Sequence, residues 1–168
     1  MVKWIKPKPP YVKLNTDGSL GPNGAGAGGI IRNNNGIVLA TFATPIYCRS
    51  AIQAEINALI LGLQVCSNLG FNFIWIEVDA ALLIQIISNA IPGNPENYYR
   101  IRKLKLSLTK FHYHISHIFR EANSCADWLA KYGCDSTSYE DLNINNLHPL
   151  LLGMILLDNS GLPYIRYG

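Results

Sequence analysis

The sequence predicts an α/β fold in which a mixed five-stranded sheet, three antiparallel strands followed by parallel ones, is flanked by helices. Two patterns carry that expectation. Three strand-like runs follow one another near the N-terminus, and from Ala51 onward helical and strand-like periods alternate. Four acids, Asp17, Glu55, Asp79 and Asp127, stand at the ends or starts of these segments, where such a fold can gather them.

Val12 to Asp17, Ala27 to Arg32 and Ile37 to Ala43 read as strands, the last two joined by Asn33-Asn34-Asn35-Gly36, a hairpin-turn signal. The glycine-rich connection Gly18 to Gly29 lacks the Lys-Ser/Thr ending of a P-loop and reads as a tight turn of small residues. Ser50-Ala51-Ile52-Gln53 has capping-box spacing. Ile56, Leu59, Ile60 and Leu63 then recur at helical period, predicting a helix from Ala51 to Asn68. Phe73 to Val78 is a short apolar strand, and the helical stretch Ala80 to Ala90 ends at Pro92-Gly93. Tyr98 to Lys110 reads as a basic helix and Tyr113 to Phe119 as a last strand. A final helix starts at Asn123 or Ser124, both good N-caps, and stops at Gly133.

The chain of 168 residues is the size of one domain, and with 49% hydrophobic and 15% charged residues it reads as globular. Residues 1–10, rich in lysine and proline, form an extended lead-in; the folded body is expected over 11–133, with 134–168 as a C-terminal hairpin or appendage. A net charge of +3 permits a nucleic-acid partner without requiring one. The four cysteines lack zinc-site spacing and read as reduced thiols. No run is long enough to span a membrane and no signal peptide is visible, so an intracellular protein of the nucleus or cytoplasm, acting as a monomer, is expected.

If the chain returns by a right-handed crossover through the Glu55 helix, the strand ending at Asp79 lies beside the one ending at Asp17. Carboxylates about 4 Å apart repel by about 4 kcal/mol in a protein-like dielectric, which a cation relieves. Oxygen ligands without histidine or thiolate favour Mg²⁺, with Mn²⁺ able to substitute, and Mg²⁺ takes further ligands from water and substrate phosphates. Four acids can hold two ions roughly 3.5–4 Å apart, the arrangement used in phosphodiester hydrolysis. Taken singly, each acid has an ordinary reading as turn, cap, helix-start or surface residue.

Val12-Lys13-Leu14-Asn15-Thr16-Asp17-Gly18-Ser19, Gln53-Ala54-Glu55, Ile76-Glu77-Val78-Asp79 and His117 to Ala130, containing Arg120-Glu121-Ala122-Asn123-Ser124-Cys125-Ala126-Asp127, together resemble the ribonuclease H-like domain of the plant type related to non-LTR retrotransposons. The resemblance covers Tyr11 to Gly133. It implies a ribonuclease H: an endonuclease that cuts the RNA strand of RNA–DNA hybrids, with Asp17, Glu55, Asp79 and Asp127 as catalytic and metal-binding acids. Related proteins carry a reverse transcriptase module. Gly18, Ser19, Asn57, Arg120 and Asn123 are the expected substrate contacts, with Asn15 and Gln53 as further candidates; RNA is distinguishable from DNA by its 2′-hydroxyl. The sequence departs from bacterial and animal members where a mobile loop before the last acid carries a histidine; here that loop reads Phe119 to Asn123, and Arg120 is the candidate replacement. His117 falls on the strand, where a structural role is the commoner one. The basic stretch Arg100 to Lys110 only partly echoes the basic handle of the bacterial type, so weak, salt-dependent substrate affinity is expected. A catalytically silent hybrid- or RNA-binding module derived from a retroelement is the alternative.

Overall fold

The computed structural model describes residues 1–167. Strands β1 (Val12–Gly21), β2 (Gly24–Arg32) and β3 (Val38–Ile46) form an antiparallel meander. The Asn33–Gly36 turn closes as expected: Gly36 takes a φ of 78° and its N–H donates to Asn33 O at 2.9 Å. Helix α1 (Ala51–Asn68) then carries the chain back, and β4 (Phe73–Val78) pairs parallel to β1. Helices α2 (Ala81–Ile87) and α3 (Tyr98–Leu108) lead to β5 (His112–His117), which pairs parallel to β4. Helix α4 (Ser124–Asp135), the two-residue strand β6 (Glu140–Asp141) and helix α5 (Pro149–Ser160) complete the chain. Because β6 adds to β3, the sheet has six strands in the order β5-β4-β1-β2-β3-β6, one more than the sequence suggested.

Alternation along the strands builds two cores. Leu14, Ile31, Ile74 and Ile76 face α1, α2 and α3, whose Ile56, Leu59, Leu63, Leu83 and Leu104 meet them. Ile30 and Ala43 face Cys125 and Leu129 of α4 and Leu151 and Ile155 of α5. Each leucine or isoleucine among them, fully buried, contributes about 1.5–3 kcal/mol. The capping box at the start of α1 forms with one change of partner: Ser50 Oγ accepts from Gln53 N at 3.3 Å, while Gln53 Oε1 accepts from Arg49 N at 2.9 Å.

Two glycines let helices lie directly on the sheet. A Cβ on Gly18 would stand 2.4 Å from the Ala54 carbonyl carbon, and one on Gly28 2.4 Å from Ala130 N. This is why the glycine-rich stretch, expected as a connection, is drawn into β1 and β2. Without side chains there, β1 abuts the helix bearing Glu55, and β2 abuts the helix bearing Asp127.

Within 134–168, where a hairpin or appendage is expected, 149–160 is helical and not a hairpin: Pro149 at the first turn and the left-handed Gly161, φ 71°, delimit it. Its one charged residue, Asp158, is buried and pairs with buried Arg32 at 2.7 Å. The lead-in is extended but packed: Trp4 is buried among Ile118, Ala122, Val2 and Tyr164, and Val2 bridges to Tyr164. The Arg32 guanidinium stacks 3.8 Å from the Trp4 ring centroid. Among the described residues, no helix is long and apolar enough to cross a membrane.

Asp158→Ala leaves the Arg32 charge buried without its partner. Urea denaturation is expected to show a loss of about 3–5 kcal/mol; a change below about 1 kcal/mol, the range of exposed pairs, would show that the pair does not anchor α5.

Candidate active site

Asp17 lies midway along β1, two residues past the last rung that β1 shares with β4, Asp79 follows the end of β4, and the crossover through α1 brings Glu55 to them. One carboxylate oxygen from each of Asp17, Glu55 and Asp79 lies within 4.8 Å of the others. Asp17 and Glu55 are buried and Asp79 half-buried. Together with Gly18, Ser19, Arg120 and Asp127 they line a cleft of ≈ 440 Å³. A larger, apolar groove of ≈ 870 Å³ runs beside α3, lined by Tyr98, Tyr99, Arg102 and Lys105, but it contains no acid.

Burial pushes the Asp17 carboxyl well above its ordinary 3.8, and the neighbouring Glu55, Asp79 and Asp127 add to the shift. Burial also raises Glu55 above its ordinary 4.5; a hydrogen bond with Asp17 and the Gly18 N–H oppose that rise. Asp79 is raised by burial too, with the Arg120 charge opposing. Glu55 Oε2 is buried with no hydrogen-bond partner. Three converging carboxylates, one of which carries an orphaned oxygen, fit a divalent cation of the Mg²⁺ or Mn²⁺ kind.

Asp127 joins the cleft on different terms. It sits in the first turn of α4, and its oxygens accept from Arg120 Nη2 at 3.4 Å and Lys131 Nζ at 2.9 Å. Both cations are largely exposed, so the Asp127 side of the cleft is open and positively bordered. The Asp127 charge, foremost, holds the Arg120 pKa above its usual value. His117 lies at the end of β5, where its Nε2 donates to the Asp79 carbonyl oxygen at 3.1 Å.

Of the expected substrate contacts, Gly18, Ser19 and Arg120 line the cleft. Asn57 is half-buried and is not among the cleft residues; two positions beyond Glu55 on a helix, it faces away from it. Asn123 is buried, its amide donating to Thr16 O at 3.2 Å and accepting from Asn15 at 3.1 Å. Asn15 is buried as well. Glu77, which the sequence did not single out, pairs with buried Lys13 at 3.0 Å. An acid and a lysine at like-facing positions of two adjacent parallel strands are the signal that could have found it. Lys131, four residues after Asp127, was legible by helix spacing.

Sheet order, parallel β1–β4 pairing and the carboxylate cluster just past the last β1–β4 rung define a ribonuclease H-like domain. The chain belongs to the reverse transcriptase-like family, whose model matches residues 15–133. It is 32% identical over 135 residues to an Arabidopsis thaliana protein named as a candidate ribonuclease H; the match covers 79% of this chain but 22% of that protein, so the chain spans about a fifth of its relative's length. The ribonuclease H1 of the halophilic archaeon Halobacterium salinarum superposes with a TM-score of 0.71 at 27% identity, covering 74% of this chain and 98% of that one. A ribonuclease H1 isolated from compost, solved in complex with an RNA/DNA hybrid, shares the fold with a TM-score of 0.68 at 22% identity, over 74% of this chain and 96% of that one.

The raised carboxyls carry a sign. In the folded protein Asp17, Glu55 and Asp79 keep protons that the unfolded chain releases near their ordinary values, so the stability they contribute is full below about pH 4 and is lost as pH rises through the raised pKa values. In EDTA, the melting temperature is expected to fall between pH 5 and pH 8, and to fall less in Asp17→Asn, which removes the principal titrating group. Equal slopes in the two proteins would contradict this electrostatic picture.

Proposed function

We propose that this domain is a metal-dependent endonuclease that hydrolyses the RNA strand of RNA–DNA hybrids. The observation that carries the reading is the convergence of Asp17, Glu55 and Asp79, with the partnerless Glu55 Oε2, in an open cleft. These three residues would hold the divalent ions, with Asp127 on the cleft wall as the fourth acid. Bound there, Mg²⁺ or Mn²⁺ ions would supply the positive charge that stabilises the attacking and leaving oxygens of a phosphodiester.

The remaining roles fall to the protein's own groups. Burial and like charge make Asp17 and Glu55 share protons, so ion binding must release them and is favoured by rising pH. Arg120, 71% exposed at its side chain, presents its guanidinium to the cleft while Asp127 restrains one end, which suits it to a substrate phosphate. Gly18 and Ser19 bring main chain without bulk to the cleft wall, where a ribose 2′-hydroxyl can be read by a donor or an acceptor. Arg102 and Lys105, on the apolar groove beside α3, offer further phosphate contacts. The hybrid bound to the compost ribonuclease H1 supports this choice of substrate class.

With an end-labelled RNA–DNA hybrid and Mg²⁺ or Mn²⁺, cleavage of the RNA strand alone is expected, and none with Asp17→Asn. A folded wild-type protein that binds hybrid but leaves it intact would overturn the proposal in favour of a silent binding module. Arg120→Ala is expected to weaken hybrid binding and to reduce the slope of log K against log salt by about 1. An unchanged slope in filter-binding titrations would remove Arg120 from the phosphate contacts.

A further inference from the structure

The acids are held from behind by one side chain. Asn15, 1% exposed, lies on β1 two residues before Asp17 and fills all of its hydrogen-bonding positions. Its Nδ2 donates to Glu77 Oε1 at 2.9 Å and to Asn123 Oδ1 at 3.1 Å. Its Oδ1 accepts from Trp4 Nε1 at 3.0 Å and from Arg32 Nη2 at 3.4 Å. The two acceptors of Asn15 sit on the segments that lead into Asp79 and Asp127. Glu77 is two residues before Asp79, and Asn123 lies between Arg120 and Asp127.

The place of this amide in the sheet gives it leverage. Parallel pairing of β1 with β4 runs from Val12↔Ile74 to Asn15↔Glu77 and ends there. Asp17 and Asp79 lie beyond that last rung, where the strands part to form the cleft. The Asn15–Glu77 bond fixes the separation at the point of parting. Through Asn123, which also donates to Thr16 O beside Asp17, Asn15 fixes the turn that leads into α4. Glu77 is itself held, because its second oxygen accepts from Lys13, whose ammonium lies 3.5 Å from the Trp75 ring centroid.

We propose that Asn15 is a positioning residue that sets the spacing of Asp17, Asp79 and Asp127 by tying their segments together, and thereby sets the affinity of the carboxylate cluster for divalent ions. The proposal rests on the metal-dependent reading given above. Among side chains of this size, a carboxamide is the group that donates twice and accepts twice. A carboxylate at this position would oppose Glu77 and the Asn123 oxygen, driving apart the segments that the amide draws together.

The test compares wild type, Asn15→Asp, Glu77→Gln and the double variant, which moves the negative charge across the same hydrogen bond. Calorimetric titration with Mn²⁺ reads ion affinity, circular dichroism reads folding, and hybrid cleavage gives kcat and KM. Asn15→Asp is expected to stay folded, to bind Mn²⁺ about tenfold or more weakly, and to lose kcat with little change in KM; the double variant recovers most of the affinity. If Asn15→Asp does not fold, Asn123→Ala, which removes the Asn15–Asn123 bond together with the Asn123–Thr16 bond, is expected to weaken Mn²⁺ binding. A lowered melting temperature with wild-type Mn²⁺ affinity, in whichever variant folds, overturns the proposal and leaves Asn15 a purely structural residue. A wild type that binds Mn²⁺ without cleaving hybrid refutes the nuclease reading alone, since the affinity comparison still decides the role of Asn15. A wild type that binds no divalent ion overturns both.

Discussion

Bringing buried carboxylates together is unfavourable, and the architecture near the cleft follows from that constraint. Burial and mutual repulsion both act against Asp17 and Glu55, so the packing around them has to supply the opposing free energy. It does so with rigid elements rather than loops. Gly18 lets α1 press its backbone against β1, Gly28 lets α4 press against β2, and the aliphatic layers on both faces of the sheet keep those contacts from relaxing.

The same constraint explains the charged layer beneath the cleft. Lys13, Arg32, Glu77 and Asp158 are all buried, which is costly unless each is paired. Each has its partner: Lys13 with Glu77, Arg32 with Asp158. Trp4 stacks on Arg32 and donates to Asn15, and α5 supplies Asp158, so the N-terminal segment and α5 both close over the polar layer. Residues that look peripheral in the sequence therefore pack against the residues that flank the acids.

The parts of this arrangement that were legible in the sequence depend on short-range signals. The period of Ile56, Leu59 and Leu63 marks α1, the Asn33–Gly36 turn marks the hairpin, and the crossover rule puts β4 beside β1, so Asp17, Glu55 and Asp79 could be brought together on paper. The illegible parts depend on pairings distant in sequence. Asp158 meets Arg32 across 126 positions and Trp4 meets Asn15 across 11, with nothing local to announce either. Asn15 and Asn123 carry side chains that suit substrate contact and buried linkage equally, and only the structure shows them turned inward. The sequence presents Asp127 as one of four acids; in the structure it lines the same cleft, ion-paired with Arg120 and Lys131 beside the three-acid cluster.

The fold alone leaves the chemistry open, because one fold can host many functions; the cleft is what narrows it. Its central feature is the convergence of the Asp17, Glu55 and Asp79 carboxylates. The most direct measurement is anomalous X-ray scattering from crystals grown or soaked with Mn²⁺. A strong peak bounded by Asp17, Glu55 and Asp79, lost in Asp17→Asn crystals, is expected. Well-diffracting crystals at millimolar Mn²⁺ with no peak in the cleft, or with Mn²⁺ bound only elsewhere, would contradict it.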